Sequence, residues 1–92
     1  MLRVYKYTIP VEDYFSLDLP AGAKILTVQT QRDEPQIWAI VDPEQRSMVP
    51  HNFRVAGTGH NIAENRDDLE YIGTFQLVGG NFIGHLFRII GK

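Results

Sequence analysis

The residues best suited to bind a ligand form one short run, in which Arg54 is followed by Gly57-Thr58-Gly59-His60. Glycines on both sides of a threonine allow backbone N–H groups to converge on one concavity, which suits an anion. Arg54 adds a cationic fork that matches phosphate or carboxylate, and His60 adds a hydrogen-bond donor. The spacing is neither that of a P-loop nor that of a dinucleotide fingerprint. The run therefore predicts an anion-binding loop, and the alternative is a glycine-rich strand exit selected for backbone geometry.

Histidines are the other residues that could bind a metal or catalyse a reaction. The chain has three, His51, His60 and His85, and their spacing matches no metal motif. His85 lies in an apolar run and is typical of a core histidine. A pair formed by His60 with Asp67 or Asp68 would act on water only if both groups entered one cleft, and the alternative is a solvated acidic turn. We therefore predict no metal, no cofactor and no enzymatic activity.

Two aromatic side chains, Trp38 and Tyr71, are candidates for stacking against a base or a partner. Bases stack on exposed aromatic rings without regard to sequence. The alternative for both is a place in the core, because a buried indole or phenol contributes a large apolar area.

The elements that must position these residues are organised around residues 70–90. Two runs rich in aromatic and β-branched residues flank Gly79-Gly80, which predicts a β-hairpin with a two-residue turn. Both faces of the hairpin carry apolar residues, and such strands are central in a sheet or contact another subunit. We therefore expect a homo-oligomer, either a dimer or a larger assembly.

The rest of the chain alternates with the period of a strand and is interrupted by turn residues. No segment keeps helical periodicity for three turns, although Asn61 and Glu64 resemble a capping box and allow one short helical turn. Pro50 suggests an edge position for its strand. These features predict a single all-β domain over residues 1–92, a small antiparallel β-sandwich or barrel of about seven short strands. The predicted strands are 3–9, 14–19, 24–31, 36–41, 48–56, 70–78 and 81–90.

Bulk composition narrows the class of protein. The 92 residues are 43% hydrophobic and 22% charged, which is typical of an ordinary globular domain. The net charge of −2, with basic residues spread along the chain and not clustered, argues against nucleic-acid binding. No apolar run has the length of a membrane span. The absence of cysteine excludes disulfides and thiolate chemistry and agrees with a reducing cytosol.

Several short motifs, spread over nearly the whole chain, together resemble those of a family of uncharacterised small bacteriophage and prophage proteins. The resemblance implies a phage-encoded protein that acts in the cytoplasm of a bacterial host. It implies no activity and no functional residues. The motifs are Val4-Tyr5-Lys6-Tyr7, Ile9-Pro10, Leu19-Pro20, Gly22-Ala23-Lys24-Ile25-Leu26, Val28-Gln29, Trp38-Ala39, Val41-Asp42-Pro43, Phe53-Arg54, Gly57-Thr58-Gly59-His60, Tyr71-Ile72-Gly73-Thr74-Phe75-Gln76 and His85-Leu86-Phe87.

Three functions agree with these features. The first is a non-enzymatic binding protein that sequesters a small anionic, nucleotide-like ligand to counter host defence, with Arg54 and Gly57–His60 as the binding residues. The second is an inhibitor that binds a host protein through a sheet face or an edge strand. The third is a structural or assembly role in the virion.

Overall fold

Seven antiparallel strands in two sheets form the whole fold, as seen in a computed structural model that describes residues 1–90. The all-β prediction is therefore confirmed, and no α-helix occurs in the part of the chain that the structure describes. Two 3-10 turns complete it, Arg66–Asp68 and Val78–Gly80, where the sequence predicted one short helical turn nearer Asn61. The strands are β1 (Arg3–Thr8), β2 (Tyr14–Pro20), β3 (Lys24–Gln31), β4 (Glu34–Val41), β5 (Met48–Gly57), β6 (Leu69–Leu77) and β7 (Phe82–Ile89).

The two sheets have the strand orders β1-β4-β3 and β2-β5-β7-β6. They pack against each other along β3 and β6, where Gly73 leaves room for Val28: a Cβ on Gly73 would lie 2.9 Å from Cγ1 of Val28. The hydroxyl of Thr30 also donates a hydrogen bond across this contact to the carbonyl oxygen of Gln76, at 2.7 Å. The core fills the space between the sheets, because alternate side chains of each strand point inward. Its buried cluster comprises Ile9, Val28, Ile37, Phe53, Val55, Phe75, Leu77 and Leu86.

The hairpin of β6 and β7 is confirmed, but its turn is longer than the glycine pair predicted. Leu77 pairs with Phe82, so four residues connect the strands. The backbone is left-handed at Val78 as well as at both glycines, with φ of 53° at Val78. The amide of Val78 donates to Oδ1 of Asp33 at 2.7 Å, which ties this turn to the β3–β4 turn. A tertiary hydrogen bond therefore accompanies a conformation that valine avoids on its own.

Two β-bulges alter the register that simple alternation predicts. In β3 the register shifts between Ile25 and Thr27, so that Ile25 and Val28 both face the core and Leu26 is displaced from the ladder. In β6 it shifts at Ile72, between Tyr71 and Gly73. A bulge bends its strand and redirects the neighbouring side chains.

The predicted edge and centre positions need two corrections. β5 lies between β2 and β7, so the edge position inferred from Pro50 is wrong for the strand as a whole. Its pairing with β7 begins at Asn52, so Pro50 lies in a part of β5 bordered only by β2, and there a missing N–H disrupts no second ladder. In the 70–90 hairpin β7 is central, but β6 is an edge strand. None of the helices within residues 1–90 has the length and apolar character needed to cross a membrane.

Candidate functional site

Arg54 points to the outer face of the four-stranded sheet, where the chain's own groups surround it. Its side chain is only 8% exposed. Nη1 donates to the carbonyl oxygen of Val55 at 2.7 Å, and Nη2 donates to that of Asn61 at 2.8 Å. Nε lies 3.4 Å from Oε1 of Glu64, and the guanidinium lies 5.0 Å from the ring centroid of Tyr14. Arg54 therefore holds the 58–65 loop against the sheet.

The partners of Arg54 bond to each other as well. The phenol of Tyr14 donates to Oε2 of Glu64 at 2.5 Å. This bond, together with the nearby Arg54 charge, holds the pKa of Glu64 below its usual range, while the same bond raises the pKa of Tyr14. Three side chains thus form one closed set of contacts. Binding of an anion by Arg54 stays a prediction. In the structure its guanidinium instead contacts the chain's own carbonyl oxygens and Glu64.

The Gly57–His60 segment is a tight turn at the end of β5. The amide of His60 donates to the carbonyl oxygen of Gly57 at 3.0 Å, and Gly59 has φ of 85°, as the third residue of a type II turn requires. The ring of His60 lies over Gly57, where a Cβ would approach it to 2.8 Å. One of the amides expected to bind an anion therefore closes the turn itself. Thr58 is exposed, as are Gly59 and His60.

A chain of side-chain hydrogen bonds connects this turn to β6 and β7. Oγ1 of Thr58 lies 2.7 Å from Nε2 of His85, and Nδ1 of His85 lies 2.9 Å from Oγ1 of Thr74. Oγ1 of Thr74 in turn lies 2.7 Å from the phenol oxygen of Tyr71. The structure thus brings together two residues that the sequence proposed for different tasks, Thr58 and Tyr71. His85, expected in the core, is half-buried on the outer face.

Trp38 lies far from these residues in the topology, on the outer face of the three-stranded sheet. It pairs with Lys6 of β1 and Thr27 of β3, and the Lys6 ammonium lies 5.8 Å from its ring centroid. The indole is half-buried, and its Nε1 has no hydrogen-bond partner within residues 1–90. Trp38 and Tyr71 therefore do not form one stacking site, since they lie on different sheets.

A cavity of about 340 Å³ opens between the two sheets at one end of the sandwich. Four strands contribute to it, and both displaced bulge residues, Leu26 and Ile72, line it. Bulges are frequent beside binding sites because they redirect side chains. The volume lies at the lower end of the range for small-molecule sites, about 300–1,000 Å³. Its polar lining residues are Lys24, His51, Glu70 and Arg88, and its apolar ones include Ile25, Leu26 and Ile72.

The cavity carries two cations against one carboxylate, and one histidine. Arg88 is oriented by Glu70, whose Oε1 accepts from its Nε at 2.9 Å. Nδ1 of His51 is buried and has no partner within residues 1–90. Burial, followed by the nearby charge of Arg88, lowers the pKa of His51, so this side chain is neutral at neutral pH. A buried imidazole nitrogen without a partner is costly, so this position departs from the usual pairing of buried polar atoms.

The predicted binding residues did not include those of this cavity, although the alternation pattern contains a signal for them. His51 precedes the core residue Phe53 by two positions, and Arg88 follows the core residue Leu86 by two. Residues two apart in a strand share a face, so both polar side chains belong to inward-facing positions. Polar residues at inward positions of two paired strands were the available clue, but nothing local showed that the sheets part there.

Two further cavities lie near the Gly57–His60 turn and the 58–65 loop. One, of about 230 Å³, lies beside Gly57–His60 and the β6–β7 turn. The other, of about 380 Å³, lies on the outer face between the loop and β6, with Ile62, Leu69, Tyr71 and Phe87 in its mainly apolar lining. Within residues 1–90 no group of three histidine or carboxylate side chains is placed to hold a metal ion.

Comparison with known proteins gives a family and no function. No curated protein matches the chain, and no solved structure matches it. One family model, described as a domain of unknown function (DUF7352), matches residues 1–90 and so spans the β-sandwich and every residue discussed above. The chain therefore belongs to the DUF7352 family, whose function is unknown.

Proposed function

We propose that this protein is a non-enzymatic binding protein that holds a small anionic ligand in the cavity between its two sheets. The observation that carries the proposal is the excess of cationic side chains in a cavity of about 340 Å³, where Lys24 and Arg88 face a single carboxylate, that of Glu70. The Arg54 and Gly57–His60 turn remains the second candidate for the anion, and the test below separates the two.

The charges of the cavity favour an anion. Arg88 uses Nε for Glu70, which fixes the guanidinium plane, and no bond to its two terminal nitrogens is found within residues 1–90. That edge matches the two oxygens of a carboxylate or phosphate. Lys24 adds a second cation, and the apolar bulge residues provide a surface for a non-polar part of the ligand. An anionic head group joined to a flat or apolar body, as in a nucleotide, fits this lining.

The resemblance to bacteriophage and prophage proteins supports the biological setting that we propose. In that setting the protein is phage-encoded and acts in the cytoplasm of the bacterial host. Sequestering a small anionic signalling molecule would counter a host defence that depends on it. A binding protein needs no catalytic group for this purpose, because removal of the free molecule is enough.

We also propose that the chain forms a homo-oligomer, and β1 is the strand best placed for it. β1 pairs only with β4, so its other edge is open, and nearly all of its side chains are exposed. Val4 of this strand is 56% exposed, and Leu2, which directly precedes the strand, is 68% exposed. Antiparallel pairing with β1 of a second copy would satisfy the open edge and cover these side chains. Sedimentation at micromolar concentration tests this, and a monomer would contradict it.

A second candidate function, inhibition of a host protein, is favoured by the outer face of the four-stranded sheet. The mainly apolar cavity beside Tyr71 and Phe87 lies there, with Ile62 40% exposed at its border. Exposed aromatic side chains next to an apolar depression are typical of protein–protein contacts. Capture of a host protein that is lost with Tyr71→Ala but retained with Arg88→Gln would favour this function over ligand binding.

The leading proposal is tested by thermal unfolding in the presence of nucleotides, nucleoside monophosphates and small carboxylates. A ligand present at about 100 times its dissociation constant should stabilise the protein by about 2.7 kcal/mol. Arg88→Gln should abolish the rise in unfolding temperature that the ligand causes, because glutamine keeps a polar side chain but lacks the guanidinium group. Arg46→Gln is the matched control, since Arg46 is exposed and lies outside the cavity.

The same measurements separate the two candidate anion sites. Thr58→Val changes the Gly57–His60 turn and leaves the cavity intact, so it should not affect the shift. A shift that survives Arg88→Gln but disappears with Thr58→Val would move the site to the turn. If no anion shifts the unfolding temperature of the unmodified protein, the binding function itself is refuted.

A further inference from the structure

The hydrogen-bond chain on the outer face has the geometry of an activated hydroxyl. Thr58 Oγ1 lies 2.7 Å from Nε2 of His85, within the range for a nucleophile and its base. The opposite ring nitrogen, Nδ1, lies 2.9 Å from Oγ1 of Thr74. When Nδ1 carries the proton and donates it to Thr74, Nε2 is free to accept the hydroxyl proton of Thr58. One histidine tautomer therefore supports proton removal from Thr58.

Rigid elements hold these groups in place. His85 and Thr74 are direct cross-strand partners in β7 and β6, and His85 also pairs with Ala56 in β5. Thr58 follows β5 within a closed turn whose next residue, Gly59, has φ of 85°. Thr74 also bonds to the phenol of Tyr71, which limits its rotation. A nucleophile on a glycine-containing turn above a sheet is exposed while its base remains fixed.

The surroundings of Thr58 provide the two other features that acyl transfer needs. The N–H of Gly59, directly after Thr58, makes no backbone hydrogen bond within residues 1–90. In acyl-transfer sites the amide after the nucleophile stabilises the oxyanion. A cavity of about 230 Å³ adjoins Thr58, with Asn81 and Phe82 in its lining. That volume suits a short acyl group, and the carboxamide of Asn81 is a second hydrogen-bond donor in the same lining.

We propose that Thr58 is an acyl acceptor that reacts with small activated esters, with His85 as its general base. Thr58 Oγ1 forms a bond to the carbonyl carbon, and its proton passes to Nε2 of His85. The tetrahedral intermediate then breaks the bond to the leaving oxygen, which takes the proton back from His85. The products are an ester on Thr58 and one equivalent of alcohol. This is a single covalent capture, independent of the cavity between the sheets and of the ligand proposed for it.

The probe is p-nitrophenyl acetate with the full chain, followed by release of p-nitrophenolate and by peptide mass spectrometry. We expect one equivalent of phenolate and one acetyl group on the peptide that contains Thr58. Thr58→Val should remove that acetyl group, whereas Thr58→Ser should retain it because the hydroxyl remains. His85→Gln should slow the reaction by about 100-fold or more, the usual contribution of a general base. Thr8→Val, which alters a hydroxyl on the other sheet, should have no effect.

Thr74 acts through His85 and is a positioning residue. Thr74→Val should slow acetylation and change its pH profile, because Nδ1 loses its acceptor, and Thr74→Ser should restore both. Far-UV circular dichroism and urea unfolding verify that each variant is folded. Acetylation confined to lysines or the amino terminus would overturn the proposal. Equal acetylation of the Thr58 peptide in the His85→Gln variant would overturn the role of His85 in it.

Discussion

Replacement of Arg54 by alanine is the sharpest test of what this side chain does. The structure gives it two hydrogen bonds to carbonyl oxygens at 2.7 and 2.8 Å and an ion pair with Glu64 at 3.4 Å, in a setting where the side chain is 8% exposed. Removing one member of a buried pair leaves the other charge uncompensated and costs about 3–5 kcal/mol. Arg54→Ala should therefore lose that amount, a large share of the roughly 5–15 kcal/mol that stabilises a domain of this kind.

Urea unfolding monitored by tryptophan fluorescence measures the loss. With a slope of about 1–3 kcal/mol per molar urea, the midpoint should fall by on the order of 2 M. Limited proteolysis should also cleave the 58–65 loop earlier, because Asn61 and Glu64 lose the side chain that holds them. Arg46→Ala is the control, since Arg46 is exposed and its change should stay within about 0.5 kcal/mol.

The outcome distinguishes a structural arginine from a ligand-binding one. A loss below about 1 kcal/mol, with the loop no more sensitive to protease, would contradict the structural role of Arg54 and return it to the candidates for anion binding. A double-mutant cycle with Glu64→Gln measures the pair directly. Because the two side chains are in contact, the losses should not add, and the coupling energy should be about 0.5–3 kcal/mol.

Three further predictions concern stability. Gly84→Ala should cost about 1–3 kcal/mol by urea unfolding, because a Cβ there would lie 2.6 Å from Cζ of Phe75; no loss would show that the ring moves freely. Val78→Asn should stabilise by about 1 kcal/mol, since asparagine tolerates the left-handed backbone that Val78 adopts with φ of 53°; a lower midpoint would contradict this. The lowered pKa of His51 means that the folded state resists its protonation, so stability should be constant above its unfolded pKa of about 6.5 and should fall below it. His51→Gln should flatten the stability profile just below about pH 6.5, and an unchanged slope would show that another group causes it.

Local sequence signals predicted the strands but not every turn between them. Alternating residues located all seven strands to within two residues at each end, because inward and outward side chains follow the period of the strand. β3 was predicted with its observed bounds, Lys24–Gln31. The β6–β7 hairpin was also predicted, but its turn was not, since the left-handed Val78 depends on a hydrogen bond from its amide to Asp33, 45 residues away in sequence.

The candidate sites depended more on tertiary structure. Arg54 looked available for an anion because its strand position faces away from the core, and only the returning loop, with Asn61 and Glu64, shows that it is covered. Thr58 and His85 are 27 residues apart, and their contact requires β5 and β7 to be neighbours. Strand order cannot be read from alternation, because every pairing of the same strands preserves the same pattern.

The sequence by itself determined the fold class, the strands and the face on which most side chains lie, because these follow from the two-residue period of extended backbone and from the burial of apolar area. The tertiary structure alone decided where the ladder breaks at Leu26 and Ile72 and where the sheets part to leave a cavity beside His51 and Arg88. The physical reason is that bulges, covered charges and cavities arise from contacts between strands that are distant in the chain.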